Sequence, residues 1–170
     1  MAGARGVRTR AGWTIRHRLR PGDAGALARL HGLLYAEERG WDATFEAYVA
    51  AGLADFARSS RPERDRLWLA ESGGRIIGSI AIVGRSRTAA QLRWFLVVPG
   101  HRGRGLGTDL MGRALRFCRA RGVRTVFLWT TSDLAEAARL YARFGFRKTE
   151  EKTHRIWGKS VTEERFGLRL

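Results

Sequence analysis

Arg102-Gly103-Arg104-Gly105-Leu106-Gly107 sets three glycines and two arginines between an apolar run, "LRWFLVVPG", and a helical pattern with Leu110, Met111, Ala114, Leu115 and Cys118 on one side. The chemistry open to such a segment is the holding of an anion. The first amides of a helix lack intrahelical acceptors, and the helix dipole is positive there. Glycines let the backbone close round oxygen atoms, and Arg102 and Arg104 add forked cationic donors. Together they describe a phosphate or pyrophosphate cradle; the alternative is a glycine-rich connection in an arginine-rich chain. Two other phosphate motifs fail. Thr108 follows Gly107 with no lysine between, and the glycines are spaced G-x-G-x-G after a fourth strand, not G-x-G-x-x-G after a first. A second candidate is Tyr141 in "ARLYARFGF", four residues before a glycine stop. Its hydroxyl can give a proton, and its position equally suits a core aromatic.

Both candidates need elements that bring them together. Trp13, Ile15 and Leu19 in "WTIRHRL" alternate as a first strand. Asp23 is placed to cap a helix carrying Leu27, Leu30 and Leu34 and ending at Gly40; Asp42 caps a second carrying Phe45, Val49, Leu53 and Phe56. "RLWLAE" and "RIIGSIAIVG" flank Ser72-Gly73-Gly74 as a hairpin. "TAAQLRWFLVVPG" is a fourth strand and "VRTVFLWTT" a fifth. "LAEAARLYARFGF" is a short helix closed by Gly145, and "FRKTEEKT" and "EERFGLRL" are the last strands. The order is β-αα-βββ-α-β-α-ββ. A strand–loop–helix–strand unit implies a right-handed parallel crossover and the hairpin implies antiparallel pairing. An α/β fold with a mixed sheet and helices on both faces follows.

A length of 170 residues suits one domain, with 1–11 as a flexible N-terminal arm and 12–170 as the domain. No apolar stretch is long enough for a membrane helix, and "MAGARGVRTR" is not followed by the apolar core of a secretory signal. With Cys118 as the single cysteine, no internal disulfide and no metal is expected, and a cytoplasmic setting is the default. The net charge of +16 raises the question of nucleic acid. The arginines are spread along the chain, however, and the densest group, Arg5 to Arg20, has only Trp13 interleaved, so nucleic acid is disfavoured as a partner.

With "LRWFLVVPGHRGRGLGTDLM" followed one strand later by "LYARFGF", the chain resembles the GNAT superfamily of acetyl-CoA-dependent N-acetyltransferases from Trp13 to Leu170. A weaker likeness, in "LYAEERGWDATFEAYVA" and "WGKSVTEERFGLRL", is to the acetyltransferase half of bacterial proteins fused to a MarR-type regulator, for which 170 residues leave no room. The resemblance implies a mostly antiparallel seven-stranded sheet whose fourth and fifth strands run parallel and splay into a V. It implies acetyl-CoA (CoA) as cofactor. The segment Arg102, Gly103, Arg104, Gly105, Leu106, Gly107 and Thr108 would hold the pyrophosphate, and Phe95, Leu96, Val97 and Val98 would pair with the pantetheine arm. Leu96 would offer an amide freed by a bulge, and Tyr141 would be the general acid toward sulfur. Transfer would be direct, to a primary amine on a small molecule or peptide, with Cys118 as a buried apolar group.

The chain departs from the family where an asparagine commonly meets the cofactor, which here is Ser132 and Asp133. It departs again where many members carry a catalytic glutamate, which here is Gln91 and Arg93. Any dedicated base then falls to Glu37, Glu38 or Asp42; a water chain, or an amine already partly neutral, would need none. The acceptor groove would be shaped by "YAEERGWDATF", Arg93 and the last two strands, with Trp41 and Trp94 as walls or as core. A monomer or homodimer is expected. The rivals are an acyl-CoA sensor without turnover and an arginine-rich nucleic-acid module.

Overall fold

The computed structural model describes residues 12–170, so the arm expected at 1–11 lies outside the described residues. Strands β1 (Thr14–Arg16), β2 (Arg66–Ser72), β3 (Arg75–Gly84), β4 (Ala89–Val97), β5 (Thr125–Thr131), β6 (Arg147–Ile156) and β7 (Lys159–Arg169) form one sheet in the order β1-β2-β3-β4-β5-β7-β6. Helices α1 (Asp23–Arg39) and α2 (Ala43–Ser59) cover one face, and α3 (Leu106–Ala120) and α4 (Ala135–Arg143) the other. The element order is the one the sequence predicts. The first strand is shorter than "WTIRHRL", and the last two run on until Trp157 and Gly158 join them.

Period-two alternation sends successive strand residues to opposite helical layers. Leu67 and Leu69 of β2 meet Leu27, Val49 and Leu53 of α1 and α2, while Trp68 and Ala70 join Ile80, Ile82, Leu110, Met111 and Ala114 on the α3 side. Burial on both faces is why these strands read as continuous apolar runs.

Two features of β4 build the site. Its parallel contact with β5 lasts three pairs, Ala89–Thr125, Ala90–Val126 and Gln91–Phe127. Beyond Gln91 the strands part, because β4 keeps its ladder with β3 to Val97 while β5 keeps its ladder with β7 to Thr131. In addition, β4 has one residue more than β3 between Arg93, opposite Ala81, and Leu96, opposite Ser79. Trp94 absorbs it at φ +47, a left-handed conformation costly for a bulky side chain, and the buried Ser79 hydroxyl donates to Trp94 O at 2.5 Å.

Asp42 caps α2 as predicted, accepting from the Thr44 N–H at 2.9 Å. Asp23 does not cap α1. Gly22 is the N-cap, and the Asp23 carboxylate turns back to the Arg20 N–H (2.6 Å) and the Arg16 guanidinium (2.7 Å to each oxygen), whose Nη2 also meets Glu71 at 2.7 Å. Burial works against ionisation of Asp23, but the Arg16 and Arg20 bonds outweigh it and hold the carboxyl below its ordinary value. A half-buried arginine with two acids is the stronger partner, which is why the capping pattern misleads. Asp23→Ala is expected to cost about 3 kcal/mol by leaving the Arg16 charge half-compensated. A urea midpoint lowered with an unchanged slope checks this.

Candidate functional site

The parting of β4 and β5 opens a cleft of about 1220 Å³, walled by α1, β4, the glycine loop, α4 and Trp157. At one end, Gly103 and Gly105 take φ of +70 and +86 and swing the chain into α3. No side chain among the described residues caps this helix, and the first main-chain bond into it runs from the Asp109 N–H to Gly105 O at 2.9 Å. The N–H groups of Leu106, Gly107 and Thr108 therefore have no intrahelical acceptor. Asp109, an acid in that first turn, is drawn aside by Arg113 at 2.8 Å. The Leu106 side chain is fully buried against Gly78 and pins the loop to the sheet. Gly103, Gly105, Gly107 and Thr108 line the cleft, whereas the Arg104 side chain is exposed outside it.

The second set of donors comes from β4. The Val98 N–H donates to Ile77 O at 3.0 Å, and bonded pairs alternate along an antiparallel ladder. Leu96 and Ser79 are then the next bonded pair, which turns the Leu96 N–H toward β3. The Trp94 carbonyl also points to β3, at Ser79, so the N–H of the same trans peptide, that of Phe95, points the other way, into the V. Phe95 and Val97 therefore face the gap with their main-chain groups. The amide turned into the gap is thus that of Phe95 and not that of Leu96, the one expected there, because the ladder sets the phase of the bulge and the strand's own sequence does not. Val98 is committed to Ile77 and lies outside the cleft lining.

Tyr141 closes the gap from α4. It is 5% exposed, with the rings of Phe95, Phe146 and Phe166 at 6.1, 6.0 and 5.9 Å. Burial pushes its hydroxyl well above the ordinary phenol value, with Tyr35 adding to the rise and the Thr130 hydroxyl opposing it. The phenol therefore stays protonated over the physiological range.

Of the three acids considered as bases, only Glu38 lines the cleft. It is paired with Arg102 at 2.9 Å, and Arg102 Nε also donates to Val97 O at 2.9 Å. The Arg102 guanidinium thus reaches across the mouth of the V to α1, while its glycine neighbours form the loop. Asp42 is taken up by the α2 cap and Glu37 is exposed.

Two neighbours on α1 join the wall: Tyr35, which opens the segment expected to shape the acceptor groove, and His31, which had no motif to mark it. Tyr35 stacks on Trp41 at 4.8 Å, and burial pushes its hydroxyl up to about 12. His31 is 3% exposed on the cleft wall, with Nδ1 2.9 Å from Leu27 O. A carbonyl only accepts, so Nδ1 carries the proton and Nε2 offers a lone pair without a protein partner among the described residues. Burial lowers the His31 pKa from 6.5 to about 4. The unfolded chain then binds this proton first as pH falls, so the native state is favoured above pH 6.5 and loses that advantage down to about pH 4. Wild-type stability is expected to drop by about 2–3 kcal/mol more than that of His31→Gln between pH 7 and 4.5. Denaturant titrations at both pH values measure the difference.

Asp133 lies along the cleft, accepting from the Thr131 hydroxyl at 2.6 Å and facing Arg39 at 4.0 Å; the Ser132 N–H is bonded to Thr162 O. Trp41 is 4% exposed and touches Trp157 at 4.5 Å. The Asp42 N–H bonds Trp157 O at 3.1 Å, so the β6–β7 turn is clamped onto the α1–α2 junction and closes the far end of the cleft. Trp94 lies 8% exposed between β4 and Phe56 of α2. Cys118 is fully buried in α3, and burial pushes its thiol up to about 12.

Comparison with known proteins places this geometry in context. The family model described as "Acetyltransferase (GNAT) family" matches residues 30–146, well over half of the chain. "N-acetyltransferase family 8 member 2" of Rattus norvegicus is 35% identical over 111 residues, covering 60% of this chain and 49% of that protein. The chain thus spans about half the length of that curated relative. Among solved structures, an acetyltransferase from Streptococcus agalactiae has a TM-score of 0.77 at 21% identity, covering 94% of this chain and 99% of that one. A GNAT family acetyltransferase from Elizabethkingia anophelis, solved with acetyl-CoA bound, has a TM-score of 0.65 at 16% identity, covering 94% and 99%. These likenesses show the fold. No helix among the described residues is long and apolar enough to cross a membrane.

Proposed function

Because the chain belongs to the acetyltransferase (GNAT) family, we propose that it transfers an acetyl group from acetyl-CoA directly to a primary amine in the cleft between β4 and β5. The observation that carries this reading is the meeting, in one cleft, of an uncapped α3 N-terminus, two gap-facing β4 amides and a buried phenol. The donor set suits CoA. Free N–H groups at Leu106, Gly107 and Thr108, reached over Gly103 and Gly105, fit a diphosphate. The edge of β4 that faces the gap, with the N–H groups of Phe95 and Val97 and with Val97 O already accepting from Arg102, fits an extended amide-bearing arm lying as an added strand. When bound, acetyl-CoA supplies an acyl carbon activated by a thiol leaving group.

The chain's own residues then have distinct tasks. The Phe95 N–H, fixed by the bulge, donates to the carbonyl oxygen as charge develops there, with no reorganisation needed. The Tyr141 hydroxyl hands a proton to the departing sulfur and is made good by the second proton that the nitrogen loses as the amide forms. The dry setting that raises the phenol raises a thiol as well, as at Cys118, so proton transfer between the two is less unfavourable than in water. Glu38, steered by Arg102, takes the proton of the incoming ammonium. Of Ser132 and Asp133, only Asp133 lines the cleft, where Arg39 of α1 faces it. Cys118 is a poor acyl carrier, being protonated and sealed in α3, which favours direct transfer. Its reduced state suits a cytoplasmic setting.

Incubation with acetyl-CoA and a panel of amines, following free thiol, tests the proposal. Amine-dependent thiol release with N-acetylated product is the expected result. CoA binding without release for any amine would favour a sensor.

A further inference from the structure

The acceptor side of the cleft holds a cation without an anion. Arg93 stands on β4 just before the bulge, its Cζ 4.6 Å from the Trp94 ring centroid and 5.7 Å from that of Tyr48. Its Nη2 donates to the Tyr48 hydroxyl at 3.2 Å. Gly52 on α2 admits it: a Cβ there would stand 3.2 and 3.4 Å from the two Nη atoms. Among the described residues, no carboxylate oxygen lies within 4.0 Å of Arg93. Yet three acids that line the same cleft each have a basic partner: Glu38 has Arg102, Asp133 has Arg39, and Glu163 has His154 and Lys152. Behind Arg93, Asp55 is paired with Arg58, and Asp65 accepts from the N–H groups of Gly84 and Arg61. Arg85 lies close enough that Arg93, after burial, is the next cause of its lowered pKa, so the positive field there is reinforced.

With Nη2 on the Tyr48 hydroxyl and no acid within reach among the described residues, the Arg93 guanidinium keeps further N–H donors unspent, and a guanidinium matches a carboxylate with two parallel bonds. We infer that Arg93 anchors a carboxylate carried by the acceptor, so that the substrates are small amino acids and not simple amines, polyamines or lysine-rich peptides. The inference rests on reading the cleft as an acetyl-transfer site and names its substrate class. Repulsion by Arg93 disfavours acceptors with a second cation, and Tyr48 with Trp157, 5.8 Å apart, offers an apolar wall for the rest of the molecule.

The test uses matched probes at two lengths: phenylalanine, phenylalaninamide and 2-phenylethylamine, and 6-aminohexanoate with its amide. In the wild-type protein kcat/KM for the preferred acid is expected to exceed that of its amide by roughly 10- to 100-fold, mostly through KM. The ratio should collapse to about unity in Arg93→Gln and survive in part in Arg93→Lys, whose thermal unfolding serves as the folding control. Turnover of acids and amides alike, or a preference retained in Arg93→Gln, overturns the inference while leaving acetyl transfer standing. A second arm needs no turnover. Calorimetric binding of N-acetylphenylalanine and its amide, with and without CoA, should show tighter binding of the acid that Arg93→Gln removes. No difference between acid and amide there overturns it too, whereas an Arg93-dependent difference without amine turnover sustains the anchor and sinks the transfer reading.

Discussion

Tyr141→Phe is expected to lower kcat by roughly 10²- to 10⁴-fold, the range over which one positioned proton donor accelerates a reaction. The substitution removes one oxygen and keeps the ring among Phe95, Phe146 and Phe166, so the fold and the α4 wall should persist. CoA affinity should change by less than about threefold, because the donors assigned to the diphosphate are on α3 and those assigned to the arm are on β4. Thiol-release kinetics beside calorimetric CoA titration separate the two quantities. Unchanged turnover would remove Tyr141 from the chemistry and return it to the role of a core aromatic with a wet edge.

The second large effect is expected at Gly105, where a pair of substitutions isolates charge from shape. Gly105 has φ +86, and a Cβ built there meets no heavy atom within 4 Å. Asn and Asp tolerate this left-handed region better than other side chains, so either should leave the loop nearly in place. Gly105→Asn is expected to weaken CoA binding a few-fold. Gly105→Asp puts a carboxylate about 5 Å from the proposed diphosphate, where repulsion at a surface-like dielectric is worth roughly 3 kcal/mol, or about 100-fold in affinity. The gap between the two should narrow as salt rises. Equal affinities for the two variants would mean that the anion does not sit at the head of α3.

Much of the fold was legible because its signals are local. The one-sided stripe of α3, the Gly73-Gly74 turn and the Gly145 stop each depend on residues within a few positions of one another, and the structure has them all. Local logic failed at Asp23, where a good capping pattern loses to Arg16 and Glu71, the latter 48 positions further along. His31 was invisible for a related reason. Nothing in its surroundings along the chain sets it apart from an ordinary residue of an amphipathic helix; only the opening between β4 and β5 turns that face into a cleft wall.

By itself the sequence determined the order of elements, the glycine-rich head of α3 and the placing of a tyrosine at the end of α4, since hydrogen-bond spacing and turn stereochemistry are written in consecutive residues. Tertiary structure alone decided which amide of β4 faces the gap, because that depends on the one-residue mismatch with β3, which turns Phe95 and not Leu96 toward it. It also decided which charges are spent and which are open. Arg102 finds Glu38 across 64 positions of chain, while Arg93 finds Tyr48 across 45 and, among the described residues, no acid. Ion pairs are settled by which surfaces the packing of helices on the sheet brings face to face, and no spacing along the chain encodes that.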